Sequence, residues 1–274
     1  MTKGLSKINL VALTFGFAFL YIPILILVFF SFNESRLVNV WGGFSLKWYG
    51  ELFQNDDLLA AAWISLILAA ATSTLSVVLG TVAGFVMARF SSFRGRTLFS
   101  GMIYAPLVMP EVITGLSLLL LFVAIDWGRG LGTMIIAHTS FCMSYVAVVV
   151  QSRLVSFDRS IEEAAQDLGA TPFKTFFVIT LPVIAPALVS GWLLSFTLSL
   201  DNVVITSFTS GPGWDTLPVK IFSAVKLGVK PEINALSTIM IVIVAIGVVL
   251  ASLVQKRAMV ERQRAERMAA AANE

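Results

Sequence analysis

The chain carries few side chains able to do chemistry. There is one histidine, His138, and one cysteine, Cys142. They stand at i, i+4, which puts them on one face of a helix, but two ligands are too few for a closed metal site. A lone cysteine also excludes an internal disulfide. No G-x-x-x-x-G-K-[ST] phosphate loop occurs anywhere, so nothing here binds ATP in that manner. The acids that remain of interest fall in two places. Glu111 and Asp201 lie inside long apolar stretches, where a carboxylate is costly and faces a cavity or a partner. Glu162, Glu163 and Asp167 cluster in a short polar segment between two such stretches. The first pair has the charge to balance a cation. The second group has the character of a helix start.

The elements that must position these residues are membrane spans. Of 274 residues, 57% are apolar and only 13% are charged, against about 25% charged in a soluble domain. Six stretches are long and apolar enough to cross a bilayer, each needing about 20 residues. They are 8–30, 58–88, 98–125, 131–151, 183–208 and 233–254. The expected fold class is therefore an all-α polytopic membrane protein. The first stretch is too long for a signal-peptide core and no small-x-small cleavage site follows it, so it is expected to stay as an anchor. Basic residues orient the bundle. With the N-terminus inside, 13 Lys and Arg fall on the cytoplasmic side and 6 on the other, which places both termini in the cytoplasm. Pro106 and Pro110 precede Glu111 and are expected to kink the third span. On straight-helix geometry Glu111 lies roughly 20 Å and Asp201 roughly 27 Å from the cytoplasmic ends of their spans. Two readings stay open for each: a charge-balancing group on a path, or a capped or interfacial acid. Spans carrying no Lys or Arg suit a cationic solute better than an anion.

Smaller signals complete the survey. Gly80 and Gly84 form a small-xxx-small face for helix contact. Trp41, Trp48 and Tyr49 in the first outer loop are candidates for an aromatic belt. The loop 209–232, with Gly211-Pro212-Gly213 and Trp214, is a candidate docking surface or a plain interfacial anchor. The tail 255–274 alternates Arg with Glu and is expected to continue the last helix into the cytoplasm. Nothing in the basic residues points to nucleic acid.

The segment 158–172 is the most informative. Ser160 and Glu163 fit the capping box of a helix start. Glu162 and Glu163 suit the positive end of that helix. Gly169 fits the left-handed residue that ends it. Thr171 caps a second helix with Pro172 at its first position. A short helix over 161–168 follows, with an apolar stripe at Ile161, Ala164, Ala165 and Leu168. Spacing alone leaves two readings: a face presented to a partner, or one lying on its own bundle or on lipid.

Glu163-Ala164-Ala165, then Gly169 after three residues, then Ile179-x-Leu181-Pro182 after nine more, resembles the EAA loop of binding-protein-dependent ABC importer permeases. The resemblance implies the type I importer transmembrane fold, with a core domain over about 61–253, preceded by an extra helix and loop (1–57). The coupling loop would span about 158–182. It implies that Ile161, Glu163, Ala164, Ala165, Leu168, Gly169, Ile179, Leu181 and Pro182 belong to the coupling segment that docks on an ATPase. It also implies the partners: a second related permease, two ATPase subunits that bind ATP and Mg, and a periplasmic binding protein. The chain itself would be a transport subunit with no cofactor, embedded in the bacterial inner membrane.

Further stretches are similar to the polyamine branch of that family, most of all to putrescine permeases. They are Tyr21-Ile22-Pro23-Ile24, Ser31-Phe32-Asn33, Lys47-Trp48-Tyr49, the run from Ala105 to Gly115, and the run from Ser195 to Asp201. The resemblance implies a polyamine substrate, putrescine or spermidine, with Glu111, Asp201 and Asn202 as candidates for its path. Asn202 departs from many relatives, in which a second acid follows Asp201. Another small cationic solute, or an ion-coupled secondary carrier, are the alternatives in view.

Overall fold

A computed structural model describes residues 6–38, 40–227, 230–246 and 249. Among these residues the chain is helical, with one isolated antiparallel bridge, Asn33 to Phe44. The chain divides into two compact units, 57–223 and the flanking segments 1–56 with 224–274.

In the flanking unit, α1 (Lys7–Phe30) has no buried residue, as suits a helix whose apolar sides all face lipid or a partner. The loop after it is organised by Asn33. Its side-chain N–H groups donate to the carbonyls of Val40 at 2.7 Å and Leu37 at 3.3 Å. Its Oδ1 accepts from the N–H of Gly42 at 2.7 Å and of Ser35 at 3.2 Å. The Asn33 carbonyl accepts from Trp48 Nε1 at 2.7 Å. One buried amide thus satisfies a loop that has few backbone partners of its own. Trp48, on α2 (Lys47–Leu52), is buried, and Tyr49 Oη pairs with Ser31 Oγ at 2.7 Å. The belt expectation therefore fails for Trp48, which plugs the loop. Trp41 stacks on Phe29 with centroids 4.5 Å apart.

The larger unit surrounds α6 (Leu131–Val155), which packs against α9 (Leu181–Leu200), α4 (Arg96–Val108), α10 (Val204–Thr209) and α5 (Glu111–Ala124). Lipid supplies no hydrophobic drive between helices, so close packing of small residues must hold the bundle. α3 (Asp56–Arg89) shows how. A side chain on Gly80 would lie 2.8 Å from the Met143 carbonyl, and one on Gly84 would lie 2.7 Å from that of Ala147. Both carbonyls belong to α6, so the small-xxx-small face of α3 lies flush on α6. At this contact, Val146, Val150, Leu154 and Ile184 form a buried cluster joined by Val77, Phe85 and Leu181.

Among the described residues four helices are long and apolar enough to cross a membrane: α1, α3, α6 and the continuous run Pro172–Leu200. A fifth span is made if α4 and α5 count as one; they bend by 116°. Met109 is extended, with ψ 138°, because a residue before proline is driven out of the helical region. The expected kink is thus a full break at Met109–Pro110, while Pro106 is carried inside α4. The expected span 183–208 is also corrected. Helix begins at Pro172, ends at Leu200, and resumes at α10 after Asp201–Val203. α11 (Leu217–Leu227) and α12 (Pro231–Ile246) follow. The rest of the sixth stretch and the tail 255–274 lie outside the described residues.

Gly84→Ala is expected to force α3 off α6 and cost about 1–3 kcal/mol, the range for overpacking a tight contact. Thermal unfolding of the detergent-solubilised protein checks this; Gly101→Ala, where nothing lies within 4 Å, is the control.

Candidate functional site

The loop between α6 and the next span forms α7 (Ser160–Asp167). Its start differs from the expected capping box. No side chain caps it from Ser160; instead Ser160 N–H donates to Asp158 Oδ1 at 3.0 Å, which holds that carboxyl below its ordinary range. Glu162 and Glu163 N–H both bond the Arg159 carbonyl. The competition between Asp158 and Ser160 goes to the acid, which accepts more strongly. The end of α7 is as expected. Gly169 has φ +87°, its N–H reaches the Gln166 carbonyl, and Ala170 N–H reaches that of Ala165. These are the paired bonds of a left-handed helix stop. Thr171 Oγ1 then accepts from Lys174 N–H, with Pro172 opening α8 (Pro172–Thr175).

One residue fixes how α7 is rolled. Glu162 is buried, and its Oε2 lies 2.8 Å from Arg89 Nε at the last residue of α3. Its Oε1 accepts from Thr180 Oγ1 at 2.6 Å. Arg89 also donates Nη1 to the Leu154 carbonyl near the end of α6, at 3.1 Å, and its guanidinium sits 5.8 Å from the Phe157 ring. Four segments therefore meet at one ion pair. Glu163, by contrast, forms an exposed i, i+4 pair with Arg159.

With Glu162 inward, the apolar stripe turns out. Leu168 is 90% exposed and Ile161 49%. Ala164 is exposed and Ala165 half-buried. This polarity is inverted: a carboxylate is inside and large apolar side chains are outside. The reading in which the stripe lies on its own bundle is thereby removed. Beside α7 runs a groove of about 750 Å³ walled by Phe85, Phe90, Phe173, Phe176 and Phe177. Ile179, Leu181 and Pro182 do not share the stripe. They lie in a π-helical turn (Phe176–Thr180) and the first turn of α9, with Leu181 packed into the bundle cluster.

The second candidate group assembles at the two helix breaks. Glu111 is the first residue of α5, where the helix dipole favours an anion. Asn202 Nδ2 donates to Glu111 Oε2 at 3.1 Å, and Asn202 Oδ1 accepts from Ile205 N–H at 2.8 Å. Asp201 ends α9 and is exposed. Glu111 and Asn202 are thus in contact although they stand 91 positions apart in the chain, and Asp201 adjoins Asn202 in sequence. No group of three or more metal-ligating side chains occurs among the described residues.

Sequence reasoning passed over Arg89 and Glu162. Arg89 reads as one of several topology-setting cations, and Glu162 as an equal of Glu163. A helical wheel gives no signal for this choice: Glu163 stands about 150° from the centre of the stripe and Glu162 only about 110°, so position alone favours neither acid as the buried one.

Comparison with known proteins agrees with this geometry. The family described as binding-protein-dependent transport system inner membrane component matches residues 80–259. The putrescine transport system permease protein PotI of Escherichia coli (strain K12) is 58% identical over 250 residues, covering 89% of this chain and 88% of that protein. The spermidine/putrescine transport system permease protein PotC of Haemophilus influenzae is 46% identical, over 88% and 93% of the two chains. Among solved structures, a bacterial ABC transporter that imports alginate aligns with TM-score 0.72 at 16% identity, over 93% of this chain and 99% of that one. The MetNI methionine ABC transporter aligns with TM-score 0.59 at 15% identity, over 71% and 92%. At those identities the likeness is one of fold. Sequence match, broken spans and capped loop converge: the chain belongs to the family of binding-protein-dependent transport system inner membrane components.

Proposed function

We propose that this chain is a permease subunit of an ATP-driven importer that carries polyamines, putrescine or spermidine, into the cytoplasm. The single observation that carries the coupling half of this reading is the outward apolar stripe of α7, held by a buried ion pair. The substrate half is supported by the relatives, whose names are those of putrescine and spermidine permeases. The subunit is a multi-pass protein of the bacterial inner membrane, with six spans in the type I arrangement and both termini in the cytoplasm. Its core covers about 61–253, with the extra helix and loop before it and the tail 255–274 after it. It works beside a second related permease, two ATPase subunits that bind ATP and Mg, and a periplasmic polyamine-binding protein.

In mechanism, the ATPase pair grips Ile161, Ala164 and Leu168, and Gly169 gives the sharp turn that lets the stripe project. Glu163 lies at the rim of this contact. When the ATPases close, the pull on α7 passes through Glu162 to Arg89 and so to α3 and α6. It passes through Thr180 to α9, and the bundle opens outward. A protonated amine leaving the binding protein then meets Glu111 and Asp201, with Asn202 holding the first of them. Hydrolysis reverses the movement.

Three outcomes test this. Leu168→Glu alters a side chain with almost no contacts of its own, so the subunit is expected to assemble while transport-stimulated ATP hydrolysis falls more than tenfold. Normal stimulated hydrolysis and transport in that variant and in Gly169→Asp would remove the docking assignment. Glu162→Ala leaves Arg89 unpaired and is expected to loosen the loop by about 3–5 kcal/mol. Glu163→Ala removes an exposed pair worth at most about 1 kcal/mol. Amide hydrogen exchange across 160–170 distinguishes the two. Glu111→Gln and Asp201→Asn are each expected to slow putrescine and spermidine uptake about tenfold per assembled complex, the cost of one charge-assisted contact. Unchanged uptake in both would take these carboxylates off the path.

A further inference from the structure

Behind Glu111 stands a chain of buried polar groups that packing alone does not explain. His138 on α6, Ser199 near the end of α9, Asn202 at the break and Thr206 on α10 are all buried. They are bonded in the order Ser199, His138, Thr206, Asn202. Thr206 Oγ1 donates to the Asn202 carbonyl at 2.7 Å. His138 Nε2 lies 2.9 Å from Thr206 Oγ1, and His138 Nδ1 lies 2.8 Å from Ser199 Oγ.

Counting protons assigns every role. A threonine hydroxyl has one proton, and Thr206 gives it to Asn202. The contact with His138 must then be donated by the ring, so Nε2 carries the hydrogen. A neutral imidazole has a single N–H, which leaves Nδ1 to accept from the Ser199 hydroxyl. The Asn202 amide is fixed in turn. Its Oδ1 is committed to the Ile205 N–H, so Nδ2 is the atom that faces Glu111. An apolar side chain would fill the site of His138, but it would leave Ser199 and Thr206 with unmet bonds inside the bundle.

We propose that His138, as the neutral Nε2–H tautomer, is a positioning residue for the Glu111 carboxylate, acting through Thr206 and Asn202. It touches no substrate. It sets the angle of the α9–α10 break, and that break sets where the Asn202 amide meets Glu111. The proposal rests on the reading of Glu111 as a path residue.

The test uses the reconstituted complex with its ATPase, second permease and liganded binding protein, and reads putrescine uptake per assembled complex. His138→Asn keeps an acceptor near Nδ1 but removes the donor to Thr206. His138→Gln keeps a donor near Nε2. Thr206→Val removes the hydroxyl with little change of shape, and Thr206→Ser keeps it. Uptake is expected to fall about tenfold in H138N and T206V, and to stay within about twofold of the unaltered protein in H138Q and T206S. Should H138N fail to assemble, the Thr206 pair decides. H138N combined with Glu111→Gln is expected to be no slower than Glu111→Gln alone, because both act on one group. Equal losses in H138N and H138Q, full activity in T206V, or losses that multiply with Glu111→Gln would each overturn the relay while leaving the path reading intact. Full uptake by Glu111→Gln would overturn the path reading itself, and the relay would then have no target.

Discussion

A carboxylate taken out of water on a loop must be met by a cation, and that requirement organises the end of the bundle that carries α7. Glu162 is met by Arg89. α3 has 34 residues, so it runs about 51 Å, well beyond a hydrocarbon core of about 30 Å. The excess length is what lets its last residue reach the loop. Because successive residues turn by about 100°, anchoring Glu162 also decides where every other side chain of α7 goes. Ala165 comes partly inward; Ile161, Ala164 and Leu168 point away. A single pair therefore both binds the helix to the bundle and aims its apolar face outward. Well-packed apolar residues in place of both Glu162 and Arg89 would hold α7 as well, but they would remove the directional constraint that fixes the roll.

The other end of the bundle meets the same physical demand in a different way. Backbone inside a membrane tolerates a break only where protein satisfies the freed groups. Here two breaks are brought together, α4–α5 at Pro110 and α9–α10 at Asp201–Val203, and α5 packs on α10. Asn202 serves both. Its carbonyl and Oδ1 satisfy α10, and its amide N–H reaches the acid that opens α5. A second acid at this position would have placed two carboxylates against each other with no donor between them. An amide supplies the donor, so Asn202 at this position has a local reason in the Glu111 contact.

What was legible in the sequence was local. Gly169, Thr171 and Pro172 each act on backbone no more than a few residues away, so a helix stop and a restart could be read from one chain segment. Pro110 likewise announced a disruption, although a residue count could not say whether it would be a kink or a 116° break. What was not legible depended on distant partners. Glu162 and Glu163 are chemically the same, and only the location of Arg89 separates a buried anchor from a solvated rim. Asp158 and Ser160 both make good caps, and spacing alone does not show that the stronger acceptor, the Asp158 carboxylate, takes the N–H of Ser160. Trp48 looked like an interfacial aromatic because its partner, the Asn33 carbonyl, is created only when the loop closes. Glu111 and Asn202 could be suspected singly; that they meet is a property of the two breaks.

The final stretch of the EAA pattern, Ile179-x-Leu181-Pro182, acquires a different sense in this light. Pro182 has no N–H for the Val178 carbonyl, and its ring pushes against that carbonyl. The helix answers with the π turn over Phe176–Thr180, which takes up one extra residue and rotates the side chains before it relative to those after. Thr180 is the last residue of that turn, fully buried, and it is the residue that donates to Glu162. Leu181, immediately after, enters the cluster of Val146, Val150, Leu154 and Ile184. A regular helix would not hold both of these neighbours in their places, since they would keep the ordinary turn relative to the residues before them. The proline therefore matters for register more than for contact. It sets the phase at which the span meets the loop, so that Glu162 finds its hydroxyl on one side of the turn and the core finds its leucine on the other.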